Sequence, residues 1–474
     1  MRAHEAGALH AEGYGSPAWL RVPTDVNALI PSLWASSAGR GTDGALTVGG
    51  VSVHDLVREF GTPAYVLDEA DFRARARDFR DTYAEVFDDL GGGADVYYAG
   101  KAFLCTEVAR WIRDDDLRLD VCTGGELAVA IRAGMPGTRL GLHGNNKSAA
   151  ELEQALRYGV GRVIVDSYDE IERLTEVARR LGTVARVMVR VTVGVEAHTH
   201  EFIATAHEDQ KFGFSLSGGD AAEAVRGILA AAPHLELIGL HSHIGSQIFD
   251  TSGFEVSARR VLGLHADVAK EHGVELPELD LGGGFGIAYT TEHDPLPPKN
   301  LAAGMAEIVD RECRASGVAV PRISVEPGRA IAGPSTFTLY EVGTVKVVDL
   351  DGGASRAYLS VDGGMSDNIR TALYEANFSC TLAGRASGAP PRLSRIVGKH
   401  CESGDIVVMD EFLPADIAPG DLLAVPGTGA YCRSMASNYN HALRPPVVAV
   451  RDGVATVVVR RETEDDLLRT DVGA

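Results

Sequence analysis

A chain of 474 residues that is 45% hydrophobic and 23% charged has the composition of a soluble globular protein, and its length calls for two domains. A formal net charge of −21, with no local run of Lys and Arg, argues against nucleic acid as a partner. No apolar run approaches the roughly 20 residues of a membrane span. The opening Met1-Arg2-Ala3-His4-Glu5 lacks the apolar core of a signal peptide, so neither a membrane partner nor export is expected and the location is read as cytoplasmic.

Residues 1–45, rich in Ala, Gly, Pro and Ser without periodicity, read as a loosely ordered extension. Two short apolar runs, 46–48 and 51–53, flank Gly49-Gly50, a hairpin signal. Residues 46–62 are assigned to the second domain, because the first is complete without them.

That first domain is expected over 63–335. Short β-branched runs at 95–101, 117–121, 139–142, 162–165, 186–193, 235–243, 278–281 and 322–325 alternate with amphipathic segments such as 151–158 and 170–181. Such alternation implies βαβ units and a parallel sheet. The number of units and their length predict a (β/α)8 barrel; a doubly wound open sheet is the alternative. Past Pro334 the pattern becomes strand runs separated by Gly, Asp and Pro turns, so 336–474 are read as a mostly antiparallel β domain.

Six cysteines, Cys105, Cys122, Cys313, Cys380, Cys401 and Cys432, show no C-x-x-C spacing, which argues against a disulfide framework and a zinc ribbon. Each reads by default as a small buried hydrophobe. Cys401 is set apart by the motif around it.

In a (β/α)8 barrel, function collects where strands end, and these strand ends are unusually loaded. The first carries Lys101 in Tyr-Tyr-Ala-Gly-Lys-Ala, although lysine is almost never fully buried unless paired. The second carries Asp120 and runs into Cys122-Thr123-Gly124-Gly125-Glu126. The sixth ends in His241-Ser242-His243-Ile244-Gly245-Ser246-Gln247, the seventh in Gly282-Gly283-Gly284-Phe285-Gly286, and the eighth in Glu326-Pro327-Gly328-Arg329.

Each has a bland reading: a solvated lysine, a plain glycine turn. The His-x-His pair has no Cys or carboxylate at ligand spacing, so no metal is expected. The glycine run fails as a dinucleotide fingerprint, because Ile287 occupies the third glycine position. Taken jointly they describe one ligand. Glycine amides that can cradle a phosphate, an arginine after the next strand and a lysine on the same rim suit pyridoxal 5′-phosphate, whose aldehyde condenses with lysine.

At these motifs the chain resembles the alanine-racemase-like class of pyridoxal-phosphate enzymes, and within it the ornithine/diaminopimelate/arginine decarboxylase family. The resemblance implies a barrel plus a β domain. By it, Lys101 is the lysine that bonds the cofactor, although the family more often has Val where Gly100 stands. That glycine is expected to replace a side chain on the opposite face. His243 resembles the histidine stacked on the cofactor ring. Ser246, Gly283 and Gly284 resemble phosphate contacts, and Pro327 and Gly328 belong to the same cofactor-binding turn. Glu326 resembles the carboxylate at the ring nitrogen, Arg329 an arginine near phosphate and substrate, and Asp120 a supporting carboxylate.

In the β domain, Gly398-Lys399-His400-Cys401-Glu402-Ser403-Gly404-Asp405 is similar to the family's cysteine motif. Its Cys401 and Glu402 would reach a partner subunit's site, which implies a homodimer. Arg370 and Tyr374 match substrate-binding positions, and Tyr431 a residue touching cofactor and substrate. Cys401 is the candidate proton donor, since a thiol is mostly protonated at neutral pH; Lys101 is the alternative.

The implied activity is decarboxylation of meso-2,6-diaminopimelate to L-lysine, the last step of lysine biosynthesis. The far end of that substrate carries a carboxylate and an ammonium, which Arg370 and Glu402 can pair. Decarboxylation of ornithine, arginine or carboxynorspermidine is the alternative, and a non-catalytic pyridoxal-phosphate carrier is a third reading.

Overall fold

The computed structural model describes residues 15–194, 210–349 and 355–473. It divides into two compact units. One comprises residues 73–286 and 295–331; the other comprises the chain up to 72, 287–294 and the chain from 332 onward.

The first unit is a closed parallel barrel. Its eight strands are Ala94–Ala99, Arg118–Val121, Leu140–Leu142, Arg162–Val165, Ala185–Thr192, Leu235–His241, Glu278–Asp280 and Arg322–Val325. The fourth pairs with the fifth through Val165 and Val189, and the eighth returns to the first through Val325 and Val96. That closing pair rules out the doubly wound sheet, which would leave two edges. A further two-residue strand, Phe214–Ser215, adds to the outside of the fifth.

The strands read as continuous apolar runs because both faces are covered: Val163, Ile164 and Val165 are all fully buried. The helices start where the sequence supplies caps. Ser148 and Glu151 form a capping box on helix Ala149–Tyr158, satisfying amides that the first turn leaves unpaired. Two strand ends differ from expectation. The first strand stops at Ala99, leaving Lys101 in a turn, and the sixth stops at His241, leaving His243 beyond it.

Beside a three-stranded sheet of Gly39–Arg40, Leu46–Val48 and Val51–Ser52, the second unit is built on one large sheet. Its order is Ile406–Pro414, Pro391–Val397, Ser355–Val361, Thr336–Asp349, Ala64–Asp68, Val447–Arg451 and Val454–Val459, with Leu422–Pro426 and Thr381–Leu382 attached. Pairing is mostly antiparallel, with two parallel exceptions.

Three expectations are corrected here. The boundary expected at 62/63 falls near 72, because Ala64–Asp68 lies between two strands of this sheet. All five of its residues are buried, so locally it reads like a barrel strand. The extension expected to be loose is packed from Leu33 onward. Leu33, Trp34 and Ala45 join a core with Phe337, Leu339 and Val448, and Arg40 donates to Asn27, Gly44, Thr381 and Leu382; residues 1–14 of that expectation lie outside the described residues. Finally, Val53 opens helix Val53–Phe60, capped by the Ser52 hydroxyl, rather than ending a strand.

Candidate active site

The C-terminal ends of the barrel strands surround a cavity of about 300 Å³, lined among others by Lys101, Asp120, His143, Arg190, His243 and Glu326. Strand polarity explains the clustering: parallel strands bring all their carboxyl ends to one rim. Lys101 is exposed toward this space, just past the first strand. Gly100 stands where two strand ends come close. A Cβ there would lie 2.7 Å from the Asp120 carbonyl oxygen and 3.3 Å from the Leu104 side chain, so glycine is what lets the two strand ends approach.

His243 is half-buried beside Lys101, and desolvation followed by that neighbouring charge holds its imidazole well below its usual pKa. Its Nδ1 accepts the Gly283 amide at 3.2 Å, which leaves the proton of the neutral ring on Nε2. A Cβ on Gly283 would come within 2.3 Å of the Glu326 carbonyl oxygen; the glycine run therefore sits directly against the turn after the eighth strand. Gly284 follows with φ of 104°. Pro327 and Gly328 are buried in that turn, and Arg329 Nη2 donates to Ser246 Oγ at 2.7 Å. The phosphate-type contacts expected from three separate strand ends are thus adjoining.

Glu326 is 6% exposed and surrounded by imidazoles. Burial opposes its ionisation, but His143 and His241 outweigh this and hold its carboxyl well below the usual carboxylate range. His241 Nε2 lies 3.0 Å from its Oε1 and His143 Nε2 3.5 Å from the same oxygen. The sequence spacing left His241 without a neighbouring carboxylate; in space Glu326 stands beside it. Below this rim, Arg162 is 1% exposed in the barrel interior. It bonds Asp280 Oδ2 at 2.5 Å and Ser324 Oγ at 2.8 Å, and lies 3.5 Å over the Tyr97 ring.

Within the β unit, helix Arg370–Tyr374 places the Arg370 guanidinium 5.4 Å from the Tyr374 ring, 5.5 Å from Tyr289 and 5.8 Å from Tyr431. Three of the residues expected to hold substrate or cofactor are therefore together, and Tyr289 joins them. Tyr431 has φ of 61°, a conformation that side chains adopt at some cost and that recurs at functional sites. Cys401 and Glu402 project from the loop between Pro391–Val397 and Ile406–Pro414, and Cys401 is the exposed cysteine of the six.

Sequence reasoning missed His143, Arg190, Arg162 and Tyr289. The first two stand at the ends of the third and fifth strands, so the rule that flagged Lys101 applied equally to them. Nothing local marked Arg162, at the start of a strand, as buried.

The arrangement fits pyridoxal phosphate: a lysine amine on the rim, a carboxylate held ionised across the cavity, a neutral imidazole beside it, and glycine amides next to an arginine. The chain belongs to the pyridoxal-dependent decarboxylases, whose pyridoxal-binding domain model matches residues 70–333. The diaminopimelate decarboxylase of Mycobacterium tuberculosis is 56% identical over 94% of this chain and 98% of its own, and that of Mycobacterium leprae is 53% identical over the full length of both. A crystal structure of diaminopimelate decarboxylase from M. jannaschii in complex with L-lysine superposes with a TM-score of 0.86, at 29% identity over 93% of this chain and 99% of that one.

Proposed function

We propose that this protein removes carbon dioxide from meso-2,6-diaminopimelate to give L-lysine, the last step of lysine biosynthesis, and does so as a cytoplasmic homodimer. The observation that carries the substrate is Arg370. The residue is 5% exposed, and among the described residues no carboxylate pairs with its guanidinium. A buried cation without a partner is costly, so its retention beside three tyrosines points to an anionic ligand. The distal carboxylate of diaminopimelate is such a group, and an arginine fork binds it through two parallel bonds. Ornithine and arginine have no carboxylate to offer there.

When bound, pyridoxal phosphate supplies an aldehyde for the amine of Lys101 or of the substrate, and a ring that accepts electrons from the α-carbon. The chain's own residues do the rest. Lys101 holds the cofactor at the rim. Glu326, kept ionised, favours a proton on the ring nitrogen and so strengthens electron withdrawal. Neutral His243 offers an uncharged face to the ring, while Gly283, Gly284, Ser246 and Arg329 serve the phosphate. Pro327 and Gly328 shape the adjoining turn, and Asp120 is a supporting carboxylate of the cofactor site. Arg370, with Tyr374 and Tyr431, orients the distal end, and Glu402 of one protomer takes the distal ammonium in its partner's site. The α-carbon that loses carbon dioxide must regain a proton, which Cys401 Sγ donates; an unchanged rate in Cys401→Ala would assign that step to Lys101.

Carbon dioxide release from meso-diaminopimelate, lysine, ornithine and arginine, measured in parallel with cofactor supplied, tests the reading. Release from diaminopimelate alone, abolished in Lys101→Ala, is expected. Release mainly from ornithine or arginine would keep the chemistry and overturn the role of Arg370. No release from any of them would favour a non-catalytic carrier.

A further inference from the structure

The carboxylate across the cavity from Lys101 does not stand alone. His143, at the end of the third strand, places one nitrogen between two buried carboxylates: Nε2 lies 3.1 Å from Asp120 Oδ1 and 3.5 Å from Glu326 Oε1. His241 approaches the same Glu326 oxygen at 3.0 Å, and the two imidazole rings meet nearly edge to face, 5.2 Å apart at 72°. Both carboxylates are 6% exposed. Two carboxylates sharing a buried site do not both stay ionised unless a positive group stands between them. Their titration diverges accordingly: Asp120 is raised, chiefly by burial, whereas Glu326 is held low against burial by His143 and His241.

The other charged groups that face this cluster do not replace the bridge. Arg162 comes no nearer than 3.9 Å to Asp120 and is committed to Asp280. Arg190 pairs with Asp166, 3.7 Å away, and feels the Glu326 charge only from beyond ion-pair distance. Lys101 lines the same cavity but forms no ion pair with either carboxylate, and His243 is neutral, its Nδ1 4.0 Å from Glu326.

We propose that His143 is a positioning residue for the decarboxylation: its Nε2 stands between Asp120 and Glu326 at ion-pair distance, fixing Glu326 as the ionised partner of the cofactor's ring nitrogen. Asp120 is then not merely nearby. It draws the His143 ring into place, so that the depth of electron withdrawal depends on residues beyond Glu326 itself. The inference rests on assigning Glu326 to the ring nitrogen.

The test compares wild type, His143→Gln, His143→Phe and Glu326→Gln, each as purified holoenzyme and as apoenzyme. The readouts are kcat and KM across pH, and the affinity of apoenzyme for pyridoxal phosphate from absorbance titration. His143→Phe is expected to lower kcat by about tenfold or more, with KM within about twofold, because only a transition-state contribution is lost. Its acid limb should move to higher pH, since Glu326 would then protonate more readily, and cofactor affinity should fall. His143→Gln, a donor without charge, should recover cofactor affinity but leave the acid limb displaced. Unmoved profiles and affinity in Glu326→Gln would overturn the assignment of Glu326 itself. Changes in Glu326→Gln with no shift of the acid limb in His143→Phe, or a loss matching only its folded fraction by circular dichroism, would overturn the His143 proposal alone.

Discussion

Asp280 joins the barrel's interior to its rim: Oδ2 takes the Arg162 guanidinium at 2.5 Å, and Oδ1 accepts the Gly282 amide at 2.7 Å. The same side chain thus neutralises a cation deep in the barrel and sets the first glycine of the run assigned to the phosphate. The pair is weak evidence for net stability, because both charges were removed from water to form it. Breaking it is another matter.

Arg162→Met strands the Asp280 carboxylate in a place with almost no solvent. The expected cost is about 3–5 kcal/mol, read as a lower urea midpoint by circular dichroism. Cofactor affinity should fall as well, since Asp280 is then free to leave Gly282. A midpoint within experimental error of wild type would mean that water or a second cation reaches Asp280, contrary to the packing described.

Arg370 gives a sharper functional contrast. Lysine keeps the charge but loses the fork and the planar face that suits three tyrosine rings. Arg370→Lys is therefore expected to raise KM for diaminopimelate by about ten- to a hundredfold, the scale of losing a buried charged hydrogen bond. The absorbance of the cofactor on Lys101 should be unchanged. An equal loss of cofactor binding would show that Arg370 serves the fold rather than the substrate.

The barrel was legible because its signal is repeated: eight apolar β-branched runs alternate with amphipathic helices, and the polar residues at their ends form one rim. The boundary at 62/63 put Ala64–Asp68 with the barrel, because a doubly buried strand looks alike in either kind of sheet. Leu33 and Trp34 were overlooked because a segment without periodicity can still pack through a few large side chains, as Trp34 does 5.7 Å from Phe337. Of the residues that line the cavity, Lys101, Asp120, His243 and Glu326 stood in motifs, and neighbours such as His143 did not. His143 and Arg162 gain their meaning from Glu326 and Asp280, which stand on other strands, and no local pattern records that proximity.

One such tertiary link organises the β unit's candidate residues. The Asp405 carboxylate accepts the Met365 amide at 2.6 Å and the His400 amide at 2.8 Å. It thereby ties the segment leading to Arg370 to the loop that carries Cys401 and Glu402. Asp405→Ala leaves both amides without this acceptor, at about 1–3 kcal/mol. The expected result is a fall of about tenfold in kcat/KM for diaminopimelate, with the cofactor's absorbance intact. Wild-type kinetics in this variant would mean that the loop is held by its remaining backbone bonds.

Asp367 supplies a pH signature of the same region. It is buried, accepts the Tyr340 hydroxyl at 2.5 Å and the Gly364 amide at 2.8 Å, and its carboxyl is pushed up to about 7, chiefly by burial. In the unfolded chain an aspartate titrates near about 3.9. Between those values the folded protein holds a proton that the unfolded chain releases. The contribution of this group to stability is therefore complete below about pH 4 and is lost as pH rises to about 7. Carboxylates held low elsewhere, such as Asp95, act in the opposite sense, so the difference between two proteins is the informative quantity. Asp367→Asn removes the titration while keeping the shape. Its unfolding midpoint should match wild type near pH 4 and exceed it increasingly up to pH 7, by an amount on the order of a few kcal/mol. A difference that stays constant across that range would place the ionisation of Asp367 outside it.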